Sequence, residues 1–258
     1  MILTVDVGNT NIVLGGFLNN ELKFVSRIAT NRYKTEDEYA SKIMSILHLN
    51  NIQNSEITGS VISSVVPPLN HILKNAIKKA YNVNAMLVGP GIKTGINLLV
   101  DNPSSVGADM ICACVAAHNM YSGASLILDM GTATKMMVVD ENGAFLGVSI
   151  IPGVQIGIQA LASTTAQLPQ ISLEAPKLVI AKNTTECMRS GVVYGNASMV
   201  DGMIDRIKKE IGKDMNIIAT GGLSKSIIEH CFHNIVLDEH LLLNGLNIIY
   251  NKNNDKEK

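Results

Sequence analysis

Two short segments set an acid just ahead of a glycine turn: Asp6-Val7-Gly8-Asn9-Thr10-Asn11 and Asp129-Met130-Gly131-Thr132. A turn rich in Gly, Asn and Thr at a strand end presents backbone N–H groups and hydroxyls that can hold phosphate oxygens. An acid just before such a turn can hold Mg²⁺, usually through water, because that ion prefers hard oxygen ligands. An ordinary hairpin would use the same residues, since Asn and Gly favour its turn. The second copy, with its acid at the matching place, argues for function. A third segment, Gly107-Ala108-Asp109, opens an apolar helix. Asp109 reads there either as a first-turn acid that suits the helix dipole or as a general base for a substrate hydroxyl. Phosphoryl transfer asks the protein mainly for positioning and charge neutralisation, so one base and a metal suffice. Finally, Gly221-Gly222 follows a strand and precedes a helix. Paired glycines let a backbone approach adenine or ribose, and a helix-entry turn accounts for them equally well.

Other nucleotide signatures are missing. The sequence has no GxxxxGK[ST], and no GxGxxG follows the first strand. His48, His71, His118, His230, His233 and His240 lie apart from these motifs, and catalysis is assigned to none of them.

The elements that must carry these segments alternate. Leu3 to Val7 and Ile12 to Phe17 predict a hairpin with an acid at the end of its first strand, and Leu22 to Ile28 a third strand. Thr35-Glu36-Asp37-Glu38 is a capping box that opens a helix with Ile43, Ile46 and Leu47 on one face. Ile57 to Val66 predicts a buried strand, stopped by Pro67-Pro68 ahead of a helix to Tyr81, and Ala85 to Val88 a short strand. A helix over about Gly107 to Tyr121 follows, and then the opening pattern returns: Ser125 to Thr132 resembles Ile2 to Asn9, with Asp129 matching Asp6 and Gly131 matching Gly8. Strands over Lys135 to Val139 and Ala144 to Ile151 flank the turn Asp140-Glu141-Asn142-Gly143. A helix near Gln155 to Ala162, a loop with Pro169 and Pro176, and a long helix from about Asn183 to Ile211 come next. Met188, Val192, Met199, Met203, Ile207 and Ile211 recur along that helix at three- or four-residue steps. Asn216 to Thr220 predicts a strand, a last helix starts near Asp238, and the polar stretch from Asn251 to Lys258 reads as frayed. Strands alternating with amphipathic helices indicate an α/β sheet. The repeat implies two halves of similar topology, residues 1–121 and 122–258.

The 258 residues are 47% hydrophobic and 17% charged, which excludes disorder outside the tail. A net charge of -1 offers no basic field for a nucleic-acid backbone or an anionic membrane, so neither is expected as a partner. Cys112, Cys114, Cys187 and Cys231 fit neither zinc spacings nor a disulfide framework and read as packing thiols in a reducing compartment. No signal-peptide pattern opens the sequence and no run of about 18 apolar residues spans a bilayer. The expectation is a soluble, cytoplasmic protein acting on a small, acidic substrate.

DVGNTNIV at 6–13, GAD at 107–109, DMGTAT at 129–134, PG at 152–153, NTT at 183–185 and TGGL at 220–223 together resemble type III pantothenate kinase. That family belongs to the acetate and sugar kinase/Hsc70/actin superfamily, and the matches run in family order over nearly the whole chain. The resemblance implies two RNase H-like (actin-like ATPase) domains with a nucleotide cleft between them, a homodimer, and ATP-dependent phosphorylation of pantothenate to 4'-phosphopantothenate, the first step of coenzyme A synthesis. Carried over by position, Asp6, Val7, Gly8, Asn9, Thr10, Asn11, Ile12 and Val13 form the ATP phosphate loop, with Asp6 holding Mg²⁺ through water. Asp109 accepts the proton of the pantothenate hydroxyl, Asp129 binds a monovalent cation (K⁺ or NH₄⁺), and Thr132 contacts ATP. Val100, Gly107, Ala108, Asp109, Met110 and Thr184 fall at substrate-contacting positions.

The departures from the family pattern sit on the substrate side. Met110 stands where the family usually has Arg, Val100 where it usually has Tyr, and Lys135, Met136 and Met137 where it commonly has Thr, Phe and Asp. Losing a charge-assisted carboxylate contact costs about 1.5–3 kcal/mol, roughly ten- to a hundredfold in affinity. The alternatives are a kinase of the same fold for a different hydroxyl substrate, and a catalytically impaired nucleotide-binding paralogue.

Overall fold

The computed structural model describes residues 1–254. The chain opens with three strands, β1 (Ile2–Val7), β2 (Asn11–Leu18) and β3 (Glu21–Ala29), followed by α1 (Glu36–Leu49), β4 (Gly59–Ser64), α2 (Pro67–Tyr81) and β5 (Met86–Leu87). Next come β6 (Asn97–Leu98), α3 (Ala108–Met120) and a second run of three strands, β7 (Ser125–Met130), β8 (Ala133–Val139) and β9 (Ala144–Pro152). Helices α4 (Val154–Thr164) and α5 (Thr184–Ile211), strand β10 (Asn216–Thr220), helix α6 (Ser224–Ile228), strand β11 (Val236–Leu237) and helix α7 (Leu241–Asn254) complete it. Of the stretch expected to fray, residues 251–254 end α7, and residues 255–258 lie outside those described. No helix among the described residues is long and apolar enough to cross a membrane.

The repeat is a repeat of topology. One sheet runs β3-β2-β1-β4-β5, the other β11-β10-β7-β8-β9-β6. In each, three antiparallel strands form a meander whose first strand takes a parallel neighbour, β4 on β1 and β10 on β7. Parallel pairing requires a crossover, which is why helices follow each meander. The short strand β6 pairs with β9 at residues Ala144 and Phe145.

The chain divides into two compact units, each discontinuous in sequence. The first takes Met1–Ile96, Asp101–Ala116 and the chain from His240 on, and the second Asn97–Val100 and Ala117–Glu239. The sequence repeat had suggested one boundary between residues 121 and 122. The terminal helix joins the first unit because α7 packs on β1 and β4. It buries Leu243, Leu246 and Ile249 with Phe17, Val61 and Cys112, each such side chain contributing about 1.5–3 kcal/mol. Gly245 of α7 lies so close to α3 that a Cβ there would strike the Cys112 carbonyl oxygen.

In the first unit Leu3, Val5 and Val7 of β1 join Ile43, Leu47, Leu73 and Ile77 of α1 and α2 in one core. Alternation along a strand then turns Thr4 and Asp6 to the opposite face. α1 is opened by the expected box: Thr35 Oγ1 accepts from the Glu38 amide and Glu38 Oε2 accepts from the Thr35 amide. α2 begins at Pro67 itself, since a missing N–H costs nothing in a first turn. In the second unit β7 is buried along its whole length, packed with α4, α5, β8 and β10 side chains. α5 starts at the Asn183 cap and ends at left-handed Gly212. Its buried stripe is Met188, Val192, Val193, Ala197, Val200 and Ile204, with Met199, Met203, Ile207 and Ile211 only partly covered. Asp201 of the same helix is also buried, accepting the Phe232 and His233 amides.

Candidate functional site

Asp6 is the next-to-last residue of β1, paired with Val13 across the hairpin and with Ser63 on β4. The turn after it is closed by the Gly8 amide donating to the Asn11 carbonyl at 2.9 Å. Two residues beyond β3 brace it: Thr30 Oγ1 donates to the Gly8 carbonyl (2.7 Å), and Arg32 Nη2 donates to Asn9 Oδ1 (3.0 Å). Asn9 and Thr10 are exposed at the tip, while Val7 and Ile12 are buried in the core. Of residues 6–13, then, Val7 and Ile12 can offer a ligand only their backbone.

Asp109 lies in the first turn of α3, and its Oδ1 accepts from the Met110 amide at 2.8 Å. Met110 itself is buried, so its thioether packs inward. One turn on lies the buried thiol of Cys112. Its pKa is pushed well up, first by complete burial and then by the charges of both Asp6 and Asp109, with the Ser63 hydroxyl pulling the other way. Two carboxylates carried by segments remote in sequence thus both raise the pKa of one buried thiol of the first unit.

In the second unit the matching acid, Asp129, is 9% exposed. It stands opposite Thr220 of β10 on one side and Lys135 of β8 on the other. Lys135 Nζ lies 2.7 Å from Asp129 Oδ2, with the two side chains 15% and 13% exposed. The turn beyond is held by close backbone packing. A Cβ at Gly153 would collide with the Thr132 carbonyl, and Gly221, at φ +96°, brings its α-carbon against the backbone of Met130. This is a structural duty for Gly221 that the ligand-approach reading did not include. The helix after Gly221-Gly222 is the five-residue α6. Thr132 is exposed at the hairpin tip, Thr184 is exposed at the start of α5, and Val100 is half-buried just past β6. The strand order puts β7, β8 and β9 between β10 and β6, so Val100 and Gly221-Gly222 lie toward opposite edges of their sheet. A hollow of about 650 Å³ beside α4 and α5 is lined by Pro152, Gly153, Leu161, Cys187 and Val192, beginning one turn beyond Thr184.

These groups differ in their fit to cations. Among the described residues no three His, Cys, Asp or Glu side chains gather as a metal cage. Mg²⁺ keeps several waters and binds through one or two carboxylates plus substrate phosphates; Asp6, only partly buried beside the first hairpin turn, would be its protein contact. A free monovalent cation does not fit at Asp129, because an ammonium group is already there. The Asp129 carboxylate is already neutralised by the ammonium 2.7 Å away, so the pair offers a second cation little net attraction. Three participants are not legible as such in the sequence. Thr30 and Arg32 gave no signal, since their role depends on where β3 ends, and Cys112 read only as a packing thiol. Cys112 and Cys114 are indeed buried, Cys231 partly so, and Cys187 is exposed.

A sequence profile described as type III pantothenate kinase matches residues 2–206. A type III pantothenate kinase of Halalkalibacterium halodurans is 44% identical over 253 residues, covering 98% of this chain and all of the relative. One from Geobacillus sp. (strain WCH70) is 42% identical over 258 residues, covering both chains completely. Among solved structures, the inorganic polyphosphate/ATP-glucomannokinase of Arthrobacter sp. strain KM superimposes with a TM-score of 0.51 at 12% identity, covering 97% of this chain and 98% of its own. The ROK hexokinase of Thermus thermophilus gives 0.52 at 11% identity, covering 96% and 97%. At such identities these two show the fold alone: the paired α/β sheets are of the actin-like ATPase and sugar-kinase class.

Proposed function

This chain belongs to the type III pantothenate kinase family, and from that premise we propose how its residues divide the work. The protein is a kinase that transfers a phosphoryl group from ATP to the hydroxyl of pantothenate, in coenzyme A biosynthesis. The observation that carries this is 42–44% identity along essentially the full length of relatives bearing that one activity. That extent of identity favours pantothenate over a different hydroxyl substrate despite Met110 and Val100, and the two acids acting on Cys112 favour an enzyme over an inert paralogue.

The hairpin of residues 6–13 receives the ATP phosphates through turn amides and the exposed Asn9 and Thr10. Its bracing by Thr30 and Arg32 supports this, because a phosphate cradle must be fixed before the ligand arrives, and Arg32 adds a cation beside it. Asp6 would hold Mg²⁺, which would supply neutralisation of the phosphate charge. Asp109 takes the proton from the pantothenate hydroxyl; the Met110 amide fixes one carboxylate oxygen and so aims the group. Thr132 contacts ATP from the second hairpin, where Asp129 keeps a single positive charge. Gly107, Ala108, Val100 and Thr184 contact pantothenate, and Met110, with its thioether turned inward, does so only through its backbone. The protein works as a homodimer, supported by the exposed apolar run Leu178, Val179 and Ile180 ahead of α5. Four cysteines without a disulfide support a cytoplasmic setting.

The test is direct. Purified protein with ATP, Mg²⁺ and pantothenate should release ADP and yield phosphopantothenate by mass spectrometry. ATP binding without turnover of pantothenate would overturn the proposal.

A further inference from the structure

We infer that the ammonium group of Lys135 is the resident monovalent cation of the Asp129 site, so that the kinase reaction runs without added potassium or ammonium. The inference rests on the kinase reading above and concerns the charge that accompanies Asp129. Lys135 is not near Asp129 by chance of a flexible side chain. The β7–β8 register makes the two residues direct cross-strand partners, which puts their side chains side by side on the same face of the sheet. Nζ to Oδ2 is 2.7 Å, a charge-assisted contact, and both side chains are largely withdrawn from water.

An alkylammonium carries the charge of potassium and the N–H donors of ammonium. Held by its own chain, it needs no ion to be captured from solution and loses no translational freedom with each turnover. The lysine therefore does for this chain what a dissolved cation would otherwise do, and it leaves such a cation little net attraction. Lys135, noted from sequence as a departure from the family pattern, becomes a positioning residue that fixes the Asp129 carboxylate beside the second hairpin turn.

The experiment compares initial rates of ADP release in potassium, ammonium and sodium chloride at one ionic strength, for the wild type and Lys135→Ala. The wild type should vary by no more than about twofold, as expected for general salt effects alone. Lys135→Ala should lose about tenfold or more in sodium, the scale of one charge-assisted contact, and recover in potassium or ammonium. A wild type that needs potassium by about tenfold overturns the inference, as does a variant equally active in sodium. Thermal melting without nucleotide gives a readout independent of turnover: potassium in place of sodium should raise the melting temperature of the variant and leave that of the wild type unchanged. Should Lys135→Ala fail to fold, the wild-type salt comparison still decides. Should pantothenate go unphosphorylated in every salt, the kinase assignment fails, while a potassium-specific melting shift of the wild type would separately overturn the cation assignment.

Discussion

Gly107 stands directly against the carboxylate of Asp109: a Cβ built on Gly107 would collide with Asp109 Oδ1. That oxygen is the one held by the Met110 amide. Glycine at 107 therefore leaves the room in which the carboxylate takes its aim. Gly107→Ala should push the group aside and lower kcat by about a hundredfold, the cost of misplacing a catalytic group by about 1 Å. Steady-state kinetics alongside thermal melting would check this. An unchanged kcat would mean that the aim of Asp109 does not depend on that space.

Asp109→Asn keeps the shape and removes the base. Turnover should fall by about 10²- to 10⁴-fold, while binding of a fluorescent ATP analogue stays near the wild-type value. A variant working at full rate would take Asp109 out of its role.

Gly221→Ala addresses the second hairpin. At φ +96° any side chain is strained, and here it would also press on the Met130 backbone. The variant should lose about 1–3 kcal/mol of stability and show a raised KM for ATP. Denaturant unfolding and kinetics measure the two effects separately; stability equal to the wild type would show that the turn does not rest on Met130.

The thiols predict a pattern of labelling. At pH 8 only exposed Cys187 should react quickly with a thiol reagent, and Cys112 and Cys114 should stay silent until the chain unfolds.

They also predict weakness in alkali. Burial pushes the Cys114 thiol from 9.0 up to about 12, and Cys112 is raised further by Asp6 and Asp109. Above pH 9 the unfolded chain gives up these protons while the folded chain keeps them. The stabilisation present below pH 9 is thus lost as pH rises toward 12, by about 1.4 kcal/mol per pH unit for a fully buried thiol. Denaturant unfolding between pH 8 and 11 would reveal the slope, and Cys114→Ala should flatten it. A slope identical in that variant would contradict the cause given.

Where the signal is local, the sequence is a good guide. Thr35 and Glu38 satisfy each other's amides within one turn, Pro67 can only start a helix, and the Asp-x-Gly turns recur with strands of the expected length around them. The strand expected over Ile57 to Val66 shortens to Gly59–Ser64, the six residues in register with Ile2–Val7 of β1. The two-residue β6 exists solely because Ala144 and Phe145 offer it an edge, and no local pattern announces it.

By itself, then, the sequence determined the residue types, the duplicated acid-tipped hairpin and, through its likeness to a family, the reaction. Each of these is written in neighbouring residues. The tertiary structure alone decided that α7 returns to the first sheet, that Asp6 and Asp109 act on one buried thiol, and that Lys135 answers the charge of Asp129. The reason is physical: these relationships are set by strand register, by crossover connections and by which face each side chain takes. They come into being only when residues remote along the chain compete for the same buried space.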